Sequence, residues 1–254
     1  SVTFTMPSSG ASALVASPVA TVAGHAAPSA TANTIAGTYL VTAITGSLST
    51  TFLLTNTPAA ATTLAVVSGA GQTPTVGTDF AQPLRVAVTD QHGNRVPGVS
   101  LTFTGPGAGA SASTLSATSD ATGIAAVTPK ANTIAGSYAM TASATGTNTV
   151  TLGATNVAGA PAVIAVTSGN GQSAVVATRF AGNLVATVTD ALGNPVGSAT
   201  VTYTPAGTPA TATPDATTTT TNASGVATMG ITASAKTGAH AMTATVGAFT
   251  ATFS

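Results

Sequence analysis

This sequence predicts an all-β protein made of repeated two-layer sandwiches, and three observations carry the prediction. Apolar and polar residues alternate along short segments. Gly, Pro, Asn and Asp bound those segments, and the whole pattern returns with a period near 100 residues. Helical spacing is nowhere sustained.

The repeat organises the chain. Ser68-Gly69-Ala70-Gly71-Gln72 recurs as Ser168-Gly169-Asn170-Gly171-Gln172, Phe80-Ala81 as Phe180-Ala181, and Val88-Thr89-Asp90 as Val188-Thr189-Asp190. Gly93-Asn94 returns as Gly193-Asn194, and Leu101-Thr102-Phe103-Thr104 as Val201-Thr202-Tyr203-Thr204, all at one offset of 100. The start of the chain matches the middle of this unit. Ala32-Asn33-Thr34-Ile35-Ala36-Gly37-Thr38-Tyr39 aligns with Ala131-Asn132-Thr133-Ile134-Ala135-Gly136-Ser137-Tyr138 at an offset of 99. Gly238-Ala239-His240-Ala241-Met242 aligns with Gly136-Ser137-Tyr138-Ala139-Met140, a shift that places a loop insertion near Thr217 to Thr221. Three units are expected: 1–57 as the C-terminal half of a unit, then complete units at 58–157 and 158–254. The first begins at its third strand, so either the sequence continues upstream or another segment supplies the missing strands.

Alternation assigns the faces. Leu84, Val86 and Val88 share one face of a strand, and Arg85, Ala87 and Thr89 the other. Leu101 and Phe103 point inward, as do Tyr138, Met140 and Ala142, answered by Val150 and Leu152. Phe80, Phe180 and Tyr203 complete the expected core with Phe103 and Tyr138. Six or seven such strands in each unit form the pattern of an immunoglobulin-like sandwich. Asp90, Gly93 and Asn94 are expected to build one turn, Asp190, Gly193 and Asn194 its copy, and Asp120 with Gly123 a second type, through Asx hydrogen bonds and positive φ. The linkers around Pro58 and Pro161 are short, and proline limits swivelling, so the units should form an elongated, semi-rigid rod.

Composition narrows the function. Only 4% of residues are charged, net charge is zero, and there is no Glu, Cys or Trp. Without a basic stripe, phosphate neutralisation is absent and nucleic acid is not an expected partner. No apolar run is long enough to span a membrane as a helix, so no membrane insertion is expected in this segment. A neutral, Thr-rich surface suits exposed strands and offers little repulsion to other copies of the chain.

Val88-Thr89-Asp90-Gln91-His92-Gly93-Asn94-Arg95-Val96-Pro97-Gly98-Val99 resembles the group 1 bacterial Ig-like repeat of invasin and intimin. Asp120-Ala121-Thr122-Gly123-Ile124-Ala125, followed by Ala135-Gly136-Ser137-Tyr138, resembles the second half of the same repeat, and the likeness covers nearly the whole chain. The first unit departs from it at Thr21 and His25, and the third at His240. The resemblance implies an extracellular stalk or fibre segment of a bacterial surface adhesin, and it supplies no ligand. Other copies or neighbouring repeats are the expected partners. A host or surface glycan or protein, or a virion carrying the chain as a decoration, is the alternative.

No catalytic, cofactor or metal site is expected. Asp79, Asp90, Asp120, Asp190 and Asp215 are scattered, whereas calcium needs converging oxygens. His25, His92 and His240 occupy different places in the repeat, and no G-x-S-x-G turn accompanies them. Gly69-Ala70-Gly71 precedes no helix, which a phosphate loop requires. Tyr39 and Tyr138 are expected to act like a tyrosine corner, and the run Thr217 to Thr221 is a candidate for O-glycosylation.

Overall fold

The computed structural model describes residues 1–207 and 210–254, and no helix occurs among them. The first repeat contains β1 (Thr3–Thr5), β2 (Ala13–Val15), β3 (Ala30–Ala32), β4 (Gly37–Thr45) and β5 (Leu48–Asn56). The second contains β6 (Ala61–Ser68), β7 (Leu84–Asp90), β8 (Ser100–Thr104), β9 (Leu115–Thr118), β10 (Ile124–Val127), β11 (Gly136–Ser143) and β12 (Val150–Asn156). The third contains β13 (Val163–Ser168), β14 (Leu184–Thr189), β15 (Thr200–Ala206), β16 (Ala212–Pro214), β17 (Thr218–Thr220), β18 (Val226–Met229), β19 (Ile231–Ala233), β20 (Ala241–Val246) and β21 (Phe249–Phe253).

Two sheets face each other in the second repeat, ordered β10-β7-β6 and β12-β11-β8-β9, with every pairing antiparallel. Their inner residues close one apolar cluster: Leu64, Leu84, Val86 and Val88 from one sheet, Leu101, Phe103, Met140 and Leu152 from the other. The third repeat has the same plan, β13-β14-β18 against β17-β15-β20-β21, around Ile164, Val188, Tyr203 and Met242. In the first repeat, sheet β1-β4-β5 is faced only by the β2–β3 pair, and its cluster is small: Phe4, Ala13, Val15, Tyr39, Val41 and Ala43. The three clusters share no residue. Accessible surface agrees with that separation. A compact 24.0 kDa chain would expose roughly 9,900 Å², and this one exposes 12993 Å².

Ala87, on the face of β7 opposite Leu84, Val86 and Val88, is buried as well, because β7 is the central strand and Ala87 lies between Ala65 and Ile124. Two local expectations need correction. The insertion in the third repeat, expected near Thr217 to Thr221, falls slightly earlier. Ala212 pairs with Ala233 as Ala112 does with Ala131, an offset of 100, whereas Thr218 pairs with Thr202 as Ser116 does with Thr102, an offset of 102. The extra residues therefore lie between Ala212 and Thr218. Thr221 is buried, so the O-glycosylation candidate does not extend to it. Its hydroxyl donates to Val196 O at 2.6 Å and accepts from Ala199 N at 2.9 Å. Ser119 makes the same pair of bonds in the second repeat.

Candidate functional site

The arrangement that recurs most completely is a joint between successive repeats. Strand β7 ends at Asp90, and Gly93 adopts φ +83° so that the chain can turn back to Asn94. Asp90 Oδ1 accepts the amides of His92 and Asn94, both at 2.9 Å. Asp90 Oδ2 accepts the Asn94 side-chain amide at 2.9 Å and the linker amide of Ala59, also at 2.9 Å. Asn94 then reaches the repeat before it. Its Nδ2 donates to Thr34 O at 2.8 Å, and its Oδ1 accepts from Ala36 N at 2.9 Å.

The second joint repeats this atom for atom. Asp190 accepts Leu192 N at 2.9 Å, Asn194 N at 2.8 Å and the linker amide of Gly159 at 2.8 Å. Asn194 Nδ2 donates to Thr133 O at 3.0 Å, and Ala135 N donates to Asn194 Oδ1 at 2.8 Å. The plug is an Asp-x-x-Gly-Asn turn, and the socket is the backbone of Asn-Thr-Ile-Ala. Each hydrogen bond between the plug's Asn and the socket uses a backbone group of the socket.

Both carboxylates are nearly sealed from water, at 3% and 2% exposure. Burial pushes the Asp90 carboxyl upward, but hydrogen bonds from Asn94, Ala59 and His92 outweigh it and hold the group at about 2. Asp190 is subject to the same opposition, burial against Asn194, Gly159 and Leu192, and is also lowered. An anion saturated by amide donors stabilises the turn and leaves no lone pair directed at a cation.

The socket has its own support. Asn156 is 1% exposed, and its amide donates to Ser111 O at 2.8 Å, Asn132 Oδ1 at 3.0 Å and Ile134 O at 3.2 Å. Its Oδ1 accepts the Tyr138 hydroxyl at 2.9 Å. Asn56 with Ser12, Asn33, Ile35 and Tyr39 repeats this network. Each tyrosine hydroxyl thus reaches a side chain on the neighbouring strand and not a backbone group a few residues upstream, unlike a tyrosine corner. The linker after Asn156 is tied as well, since Val157 N donates to Pro74 O and Val157 O accepts from Val76 N, both at 2.9 Å.

The remaining residues singled out from sequence lie elsewhere. Asp120 accepts Thr122 N at 2.8 Å and Ile124 N at 3.1 Å, and Gly123, at φ +69°, packs directly behind Arg95 at the back of the plug. Phe80, Phe103, Phe180 and Tyr203 are buried, and Tyr138 is half-buried against its cluster. Sequence reasoning assigned no role to Asn56, Asn156, Ser119 or Gln72, and took Thr221 only as part of the O-glycosylation run. Gln72 spans its loop, donating to Gly69 O at 2.7 Å and Gln82 O at 2.8 Å, and Gln172 does the same to Gly169 and Gly182. Recurrence at the repeat offset was the available signal for all five.

No family model matches this chain, and no curated protein matches it. Among solved structures it is similar to the Escherichia coli adhesin FdeC, at 20% identity over 88% of this chain and 75% of that one, with a TM-score of 0.55. Surface layer protein SbsC, domains 4-9, is 22% identical over 99% of this chain and 38% of that one, at a TM-score of 0.35. Invasin, described as a bacterial integrin-binding protein, is 22% identical over 75% of this chain and 38% of that one, at 0.35. Only the first of these scores bears on the fold. The chain has the fold of tandem immunoglobulin-like β-sandwiches.

Proposed function

We propose that the chain is a non-enzymatic structural stalk or spacer segment of a bacterial cell-surface adhesin, acting outside the cell. Its domains on this reading are 1–57, 58–157 and 158–254. The observation that carries the reading is the duplicated joint. Two copies of one hydrogen-bond set hold successive repeats in one orientation, which a spacer needs and a flexible string of binding modules does not. The fold shared with FdeC, an Escherichia coli adhesin, and the excess of accessible surface support it. Small-angle X-ray scattering tests it directly. A stiff rod gives a single maximum dimension on the order of 100 Å for strands of this rise, and replacing Asp90, Asn94, Asp190 and Asn194 with Ala broadens the distribution. A wild-type profile as broad as the variant's refutes the spacer.

A second reading, self-assembly by β-strand addition at the first repeat, has its own observation. Val41 pairs with Phe52 as Met140 pairs with Leu152, yet Phe52 is 50% exposed and Leu152 is 1% exposed. Phe52 borders an apolar cavity of about 240 Å³ with Phe4, Val15, Val41 and Leu54. Strands offered by another copy would cover this face. Concentration-dependent sedimentation that disappears in Phe52→Lys supports assembly, and a monomer at all concentrations removes it.

A further inference from the structure

Within the second repeat, the segment from Gln72 to Val76 lies parallel to the end of β12, Ala154 to Val157. Four backbone hydrogen bonds close this seam. Gly71 N donates to Gly153 O at 2.7 Å, Thr155 N to Gln72 O at 3.0 Å, Val157 N to Pro74 O at 2.9 Å and Val76 N to Val157 O at 2.9 Å. Val76, Ala154 and Asn156 are buried, so water has little access with which to replace these bonds one at a time. Asn156 adds a further hold at the middle of the seam through Ser111, Asn132, Ile134 and Tyr138.

The direction of the two segments decides how tension reaches them. Ala61 pairs with Asp90 at the first joint, and β6 leads from there toward Gln72. Gly77 N donates to Asn132 O at 3.0 Å, beside Thr133 in the socket of the second joint. Both segments therefore run from the first joint toward the second. Tension along the chain pulls Gln72 to Val76 back through its start and β12 forward through its end. The two are drawn past each other, and all four bonds are loaded together instead of in turn. Strand β6 is a weaker hold, since irregularities at Ala61/Thr63 and Val66/Ser68 interrupt its pairing with β7.

We propose that this seam is a mechanical clamp that sets the tension at which the second repeat opens, the apolar cluster parting only afterwards. Forced opening is governed by the rate of crossing the first barrier, and here that barrier is the joint loss of four parallel bonds. The clamp goes beyond the spacer reading and is tested apart from it. Scattering reads the orientation of the repeats at rest, whereas pulling reads the seam.

The test is single-molecule pulling of the full-length chain at constant tension. The sequence has no Cys, so introduced cysteine pairs are unique handles. Thr57→Cys with Ala158→Cys loads the seam lengthwise. Thr57→Cys with Thr145→Cys pulls instead on the loop before β12, beside β6, where Leu64 N donates to Asn148 Oδ1 at 2.7 Å, and peels the strands apart. At equal tension the peeling geometry should open at least about tenfold faster, the worth of one hydrogen bond no longer shared. Thr155→Pro lacks the N–H that Gln72 O accepts and should speed lengthwise opening about tenfold. Val127→Ala, in the apolar cluster, should lower the melting temperature yet change lengthwise opening by no more than about twofold, because its contacts are still in place when the seam parts. Equal opening rates in the two geometries overturn the proposal, and that comparison needs no substitution inside the seam, so it decides the matter even where Thr155→Pro does not fold. Val127→Ala speeding lengthwise opening as much as Thr155→Pro overturns it too.

Discussion

Asp190 accepts a hydrogen bond from the amide of Gly159, 31 residues earlier, and Asp90 accepts one from Ala59 at the same separation. One carboxylate thereby serves two purposes, closing its own turn and anchoring the linker that precedes its repeat. The linker before each repeat is therefore held by a charge-assisted bond as well as restricted by its proline.

Asp190→Ala leaves the amides of Gly159, Leu192 and Asn194 without an acceptor. Losing these acceptors costs on the order of 2–3 kcal/mol in all. The third repeat should melt several degrees earlier by calorimetry, while Thr220→Ala, on an exposed strand position, should leave the transition in place.

Acid should loosen both joints. The folded carboxyl of Asp90 sits at about 2, below its ordinary 3.8, and Asp190 is lowered too. As pH falls the unfolded chain takes up protons first, so their contribution is complete above about pH 4 and fades as pH falls toward the folded values. Melting temperature measured from pH 6 to pH 2 should drop over that window. The drop should be smaller in the variant carrying Asp90→Ala and Asp190→Ala, and an equal drop in both proteins counts against the mechanism.

Asn156→Ala removes the centre of the socket network and strands the Tyr138 hydroxyl, at a cost of about 2–4 kcal/mol. Tyr138→Phe alone should cost less, and the double variant should be clearly less destabilised than the sum of the two. Chemical denaturation of the three variants checks this, and simple additivity would show that the two side chains are not coupled.

Gly123→Ala places a methyl group 2.8 Å from Arg95 Cβ on a backbone at φ +69°. The strain and the contact together should cost at least about 1–2 kcal/mol. Because Arg95 follows Asn94, amide exchange should also quicken at Ala36 and Ala59, on the far side of the joint. Exchange confined to the Asp120 turn would separate the two turns.

Much of the architecture was legible before any coordinates. Alternation at Leu101 and Phe103, or at Leu84, Val86 and Val88, has a period of two, which a strand with an inward-facing row explains. Polar positions were harder. Thr220 and Thr221 look alike in sequence, yet one is exposed and the other is 4% exposed with both hydroxyl roles used. Period and propensity say which residues can face water. They do not say which hydroxyl lies beside an unpaired backbone group.

The amino-acid sequence by itself determined the strand class, the repeat length and the turn positions, because each follows from neighbours close along the chain. Tertiary structure alone decided that Asp90 and Asn94 reach back to Ala59, Thr34 and Ala36, and that Asn156 gathers Ser111, Asn132, Ile134 and Tyr138. Those contacts join residues 18 to 60 positions apart. A short polar side chain satisfies whichever buried donor or acceptor the fold brings to it, and that juxtaposition exists only once the sandwiches have closed and docked.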